Sequence, residues 1–184
     1  MPKMKVTKVE AARRQLDAAI RMLFANEDPL AIHTLCMAAF RILRDLAAKR
    51  PGHNLHEAIQ RRIRPGMEKE FWKAVWRAAN FLKHADRDAD EVLEFDERVN
   101  DGIMALASPY FQFLGNQPTP EMRILEWWVC ALHPSYVGDN IPSDLKPLLE
   151  ELRIKIAGKP RQEQLAFAQD LLHLHISELR GHHT

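Results

Sequence analysis

The chain has 184 residues, 46% of them apolar, with 26 basic and 25 acidic side chains and a formal charge of +1. This length suits one domain, or one domain with a small appendage, and the apolar fraction suits a sizeable core. The charge balance excludes bulk electrostatic attachment to duplex nucleic acid, which needs a clear basic excess, and leaves room only for a local basic patch.

Apolar residues recur at intervals of three and four, the period of an amphipathic helix, with breakers between the periodic segments. A first helix is expected over residues 7–25, burying Ala12, Leu16, Ile20, Leu23 and Phe24. A second opens at Asp28-Pro29, where Asp suits the N-cap and Pro the first helical position. It runs to about residue 49, before Pro51-Gly52, with Ile32, Leu35, Cys36, Ala39, Ile42, Leu43 and Leu46 on its apolar side. His33, Met37, Phe40 and Arg44 fall along the edge of that side. His33 reads as a boundary histidine satisfied by a backbone carbonyl, or as a partner for the Asn80/His84 face across a helix pair. A short helix fits residues 54–63.

The next helix spans residues 67–85, with Phe71, Val75, Ala78 and Leu82 in one arc and Trp72 and Trp76 beside it. Another runs from 96 to 114, where Pro109 is expected to kink or split it. Thr119-Pro120 starts a helix that carries Ile124, Leu125, Trp127, Trp128 and Leu132 and stops at His133-Pro134. Two more fit 142–157 and 160–180, the last burying Leu165, Ala168, Leu172, Ile176 and Leu179. The expectation is an all-α protein: an up-and-down helical bundle of about five helices in residues 1–115, extended by C-terminal helices in 119–184. Those helices complete the same domain or form a small appended subdomain.

No run approaches the roughly 18 apolar residues of a membrane span, and no apolar segment follows the charged start. A cytoplasmic protein without a membrane partner is expected. Cys36 and Cys130, the two cysteines, sit among apolar residues and read as buried thiols, with a disulfide between them as the other option. Trp127, Trp128 and Val129 together suggest apolar surface covered by a second copy, and so a homodimer.

The stretch with the most chemistry is Arg77-Ala-Ala-Asn-Phe-Leu-Lys-His84, followed by Asp86, Asp88 and Asp90. Arg77, Asn80 and His84 stand at i, i+3 and i+7 and share one helix face with Lys73, opposite the apolar arc. Two readings stay open. One is the solvated face of an amphipathic helix. The other is a phosphate-handling site, in which Arg77 clamps a phosphate with its planar fork, His84 moves a proton near neutral pH, and Asn80 orients either group. Lys83, Lys73 and His33 are the candidate substrate-binding residues around it.

The Arg77-x6-His84 spacing on an all-helical background resembles the Arg-x(4–6)-His motif of the HEPN superfamily, over roughly residues 7–114. Members are helical bundles, often dimeric. Many are metal-independent ribonucleases, and others bind nucleotides or scaffold partners. The resemblance implies a cytosolic protein that binds a nucleotide or an RNA phosphate, with ribonuclease activity as the catalytic form and no cofactor. Arg77, His84 and Asn80 would be the catalytic residues. Active members usually carry a polar residue directly after the Arg, where this chain has Ala78. The alternative is a non-enzymatic interaction or regulatory protein that self-associates through its Trp and Met surfaces.

Asp86, Asp88, Asp90 and Glu97 also match positions 1, 3, 5 and 12 of a calcium loop, but Glu91 stands where the sharp turn needs Gly. The simpler reading is a solvated turn that caps the following helix, and no metal is assigned. His173 and His175, two apart on a helix, point in different directions and do not suit a shared metal.

Overall fold

The computed structural model describes residues 3–51, 55, 66, 68–84, 86, 89–134, 143 and 145–181. Among these residues the chain is all-α, with seven helices and no strand. They are α1 (Lys8–Phe24), α2 (Pro29–Ala47), α3 (Glu68–Phe81), α4 (Val99–Phe113), α5 (Pro120–Leu132), α6 (Leu145–Ile156) and α7 (Arg161–Gly181). The short helix expected over 54–63 lies outside the described residues. None of the helices is long and apolar enough to cross a membrane.

Asp28 and Thr119 cap as expected and Thr7 adds a third cap, whereas the acidic turn expected to cap α4 does not, since its N-cap is Arg98 with no side-chain cap bond. The Thr7 hydroxyl accepts from the Glu10 amide at 3.1 Å, the Asp28 carboxylate from Leu30 and Ala31 at 3.0 and 2.9 Å, and the Thr119 hydroxyl from Met122 at 3.2 Å. Each satisfies amides that the first turn leaves without helical partners. α1 ends in a left-handed residue, Asn26, at φ 53°. Its turn is closed by Asn26 N–H to Leu23 C=O and Glu27 N–H to Met22 C=O. Asn tolerates this conformation better than other side chains bearing a Cβ. The reversal folds α2 back along α1 after a very short connection.

α2 is the central helix. It packs against α1, α4 and α3, and α5 then rests on α1 and α4 while α6 and α7 pack on α5. This environment corrects the expected boundary of its apolar side. His33, Met37 and Phe40 are buried, whereas Leu35, Ile42 and Leu46 are half-buried. A helix with neighbours on several sides buries more than one stripe, and the wetter side is the one its neighbours leave uncovered. Phe40 anchors an aromatic cluster, stacking on Trp72 (centroids 5.9 Å) and meeting Tyr110 edge-on (5.8 Å) and Trp76 at a tilt (6.3 Å). These contacts hold α3 on the body.

Pro109 does not split the fifth predicted helix. α4 is continuous from Val99 to Phe113, with Ala107, Ser108, Tyr110 and Phe111 buried around the proline. Packing on both sides of the proline outweighs the local cost of about 3 kcal/mol. Trp128 and Val129 are buried and Trp127 is half-buried, so this cluster belongs to the core and not to an open surface. Buried residues from all seven helices join one hydrophobic cluster. Cys36 is a buried free thiol within it, and Cys130 is half-buried.

Leu179 is the second correction. Leu165, Ala168 and Leu172 of α7 are buried, but Leu179 is 40% exposed. Ile176, one turn before it, is half-buried and packs on the core, so burial along this line fades toward the C-terminal end of α7.

Candidate functional site

Lys73, Arg77, Asn80 and His84 all lie exposed on the outer side of α3. The inner side is fixed by Val75, Ala78 and Ala79, which are buried. α3 ends at Phe81, but the chain keeps turning. The amides of Lys83 and His84 both donate to the Asn80 carbonyl at 3.0 Å. His84 therefore stays on the line set by Arg77 and Asn80. The structure brings the three predicted residues and Lys73 onto one face, with Lys69 exposed one turn earlier.

The face is open to solvent. Arg77 donates through Nε and Nη2 to one carboxylate oxygen of Glu91, at 3.1 and 2.5 Å. His84 Nδ1 lies 3.9 Å from Asp86 Oδ1. Arg77 and His84 are seven residues apart, so their Cα atoms stand about 10 Å apart along a helix axis. This is a row of separate donors. It is not a compact acid–base pair.

His33 is not part of this row. It is fully buried between α2 and α4, and its partner is a side chain and not the expected backbone carbonyl. Nδ1 donates to Asn100 Oδ1 at 2.8 Å, and Asn100 Nδ2 in turn donates to the Pro29 carbonyl at 2.9 Å. The Asn100 amide, held by Pro29, thus sets the tautomer. The Phe95 ring closes over the imidazole at 5.0 Å. Burial pulls the His33 pKa down, the Asn100 bond opposes this, and the nearby Lys83 charge adds to the lowering. Lys83 itself is exposed, so it is the predicted binding residue whose charge links the α3 end to buried His33. Cys36, next to this pair, donates its thiol to the His33 carbonyl at 3.4 Å, and burial pushes its pKa up.

Two further polar clusters were not visible in the sequence. Arg161 at the start of α7 makes a two-pronged bond to Asp101 of α4, at 2.9 and 2.8 Å, and pairs with Glu97 at 2.9 Å. Glu97, the last position of the supposed calcium loop, is thus committed to a guanidinium; Asp88 of that loop lies outside the described residues. Asp17 of α1 accepts from Thr119 Oγ1 and Arg13 Nη1, both at 2.7 Å. Burial raises its pKa to about 6 against the effect of the Thr119 bond. Arg44, on the edge of the apolar side of α2, bonds Asp45 and also lies over the Trp76 ring at 5.0 Å. Asn100, Arg161 and Thr119, which bond His33, Asp101 and Asp17, stand 60 or more residues away from them, and no local spacing signals such pairs; only Arg13, four residues before Asp17, is a local partner.

Comparison with protein-family models, with curated proteins and with solved structures finds no match to this chain.

Proposed function

We propose that this protein binds the phosphate groups of RNA along the outer face of α3. The observation that carries this reading is the exposed line Lys69, Lys73, Arg77, Asn80 and His84, at spacings of four, four, three and four residues. Successive members point the same way, so an extended polyanion can meet several donors in turn. The Arg77–Glu91 pair does not block this. An exposed ion pair contributes only about 0–1 kcal/mol and yields readily to a phosphate that offers more oxygens. The HEPN resemblance supports the same face and adds metal-independent cleavage as its catalytic form. The row favours binding, since Arg77 and His84 are set to meet different phosphates, and cleavage would need a second set of these residues supplied by another copy.

The test is fluorescence anisotropy with a labelled single-stranded RNA and, separately, a labelled mononucleotide, at low and high salt. Arg77→Glu should weaken RNA binding at least tenfold, and added salt should weaken wild type steeply. Cleavage of the same RNA in the presence of chelator, with His84→Ala as control, reads out the catalytic form. Wild type that neither binds nor cleaves RNA would end this reading.

A second reading, a non-enzymatic protein that self-associates, is favoured by the large apolar side chains left exposed on α6 and α7: Ile154, Leu174 and Leu179.

A further inference from the structure

The phosphate-binding reading of α3 leaves open which sugar the face prefers, and the following rests on that reading. The row Lys69, Lys73, Arg77, Asn80 and His84 is exposed throughout and rises about 22 Å from its first residue to its last. A straight row of that length is tangent to the curved backbone of a duplex and meets only part of it. A single strand can straighten and follow the whole row. Lys69, Lys73 and Arg77 carry donors only, which bond phosphate oxygens and read nothing else of the strand. These three cations therefore treat RNA and DNA alike.

Asn80 is the amide in this row. Its backbone carbonyl accepts the amides of Lys83 and His84 at 3.0 Å, which fixes its place on the helix. Its side chain is exposed and has no hydrogen-bond partner among the described residues. It stands three residues after Arg77 and four before His84, within about 60° of both around the helix axis. A ribose lies between successive phosphates of a strand. With one phosphate at Arg77 and the next at His84, the sugar between them comes to the level of Asn80. The reach of the Arg77 side chain takes up the rest of the roughly 10 Å between the two Cα atoms. The Asn80 carboxamide both donates and accepts, as the ribose 2′-hydroxyl does, and that hydroxyl is what tells RNA from DNA. We propose that Asn80 holds this 2′-hydroxyl, so that the α3 face takes single-stranded RNA in preference to the same strand of DNA. Glu91, bonded to Arg77, and Asp86, 3.9 Å from His84 Nδ1, repel both strands equally and do not affect the choice of sugar.

The experiment is fluorescence anisotropy of the full chain with labelled oligouridylate and with labelled oligodeoxyuridylate of equal length. Circular dichroism confirms that each variant keeps its helices. Wild type should bind the RNA about three- to tenfold more tightly than the DNA, the range expected of one hydrogen bond. Asn80→Ala keeps the backbone bonds and suits a helix. It should bring RNA binding down to the level of DNA and leave DNA binding unchanged. Arg77→Glu should instead weaken both strands alike. A wild type that binds neither strand overturns the phosphate-binding reading and this inference with it, as does binding of both strands that Arg77→Glu leaves unchanged. Equal binding of RNA and DNA by wild type, or an RNA preference that survives in Asn80→Ala, overturns the Asn80 assignment alone and keeps the phosphate row. Equal weakening of both strands by Asn80→Ala also overturns that assignment, because a bond to the 2′-hydroxyl cannot act on DNA.

Discussion

Two buried titratable residues bind protons in opposite senses, and both sit at helix contacts. His33 is held neutral, with its folded pKa below the ordinary value of about 6.5. As pH falls through 6.5 the unfolded chain takes up a proton that the folded chain refuses, so His33 lowers stability on acidification. Asp17 does the reverse. Its folded pKa, about 6, lies above the ordinary carboxylate value, so between pH 6 and 4 the folded chain takes the proton first and gains stability. Asp101, also raised by burial, acts in the same direction as Asp17. Urea unfolding of wild type and Asp17→Asn at pH 7.5, 6 and 5 separates the two effects. With the compensating carboxylate removed, Asp17→Asn should lose stability more steeply below pH 6.5 than wild type. Parallel pH curves for the two proteins would show that Asp17 ionises as in the unfolded chain.

At the scale of the element, α3 depends on aromatic contact for its place. It rests on α2 through the ring cluster around Phe40, while its outer side faces solvent. Phe40→Ala removes the ring that Trp72 stacks on and leaves a cavity at the α2–α3–α4 junction. The expected cost is about 3–5 kcal/mol, read by urea denaturation. Tryptophan emission should shift to the red in the folded baseline, because Trp72 and Trp76 gain water. Unchanged emission with full loss of stability would mean that the rings hold α2 to α4 and not α3 to the body. The apolar arc of this helix and the Asp28 and Thr119 caps of α2 and α5 were legible in the sequence, since each depends on residues within a turn or two. The burial of His33 and Phe40 was not, because it depends on which neighbours surround α2.

At the scale of the whole molecule, the N-terminal and C-terminal helices are joined by a shared core and by polar ties. Arg161 links α7 to Asp101 of α4, and its guanidinium lies 6.0 Å from the centre of the Trp128 ring of α5. Arg161→Ala strips the partner from a largely buried carboxylate and should cost about 2–3 kcal/mol. Adding Asp101→Asn should recover part of the loss, since a neutral amide is cheaper to bury alone. Thermal unfolding followed by circular dichroism measures both. If the double variant is no better than Arg161→Ala, the loss comes from the contacts with Trp128 and Glu97 and not from the stranded charge.

The sequence by itself determined the all-α class, the ends of most helices, and the polar row Lys73, Arg77, Asn80 and His84 on one face of α3. These follow from backbone periodicity and from capping, which act within a few residues. Only the tertiary structure decided that this row faces solvent with Arg77 held by Glu91, that His33 sits in the core on Asn100, and that Trp128 is interior. It also decided that Leu174 and Leu179 of α7 are exposed. The physical reason is common to all four. Burial and polar pairing depend on the packing of distant helices against one another, and the amphipathic pattern of a single helix does not state how many neighbours it will have.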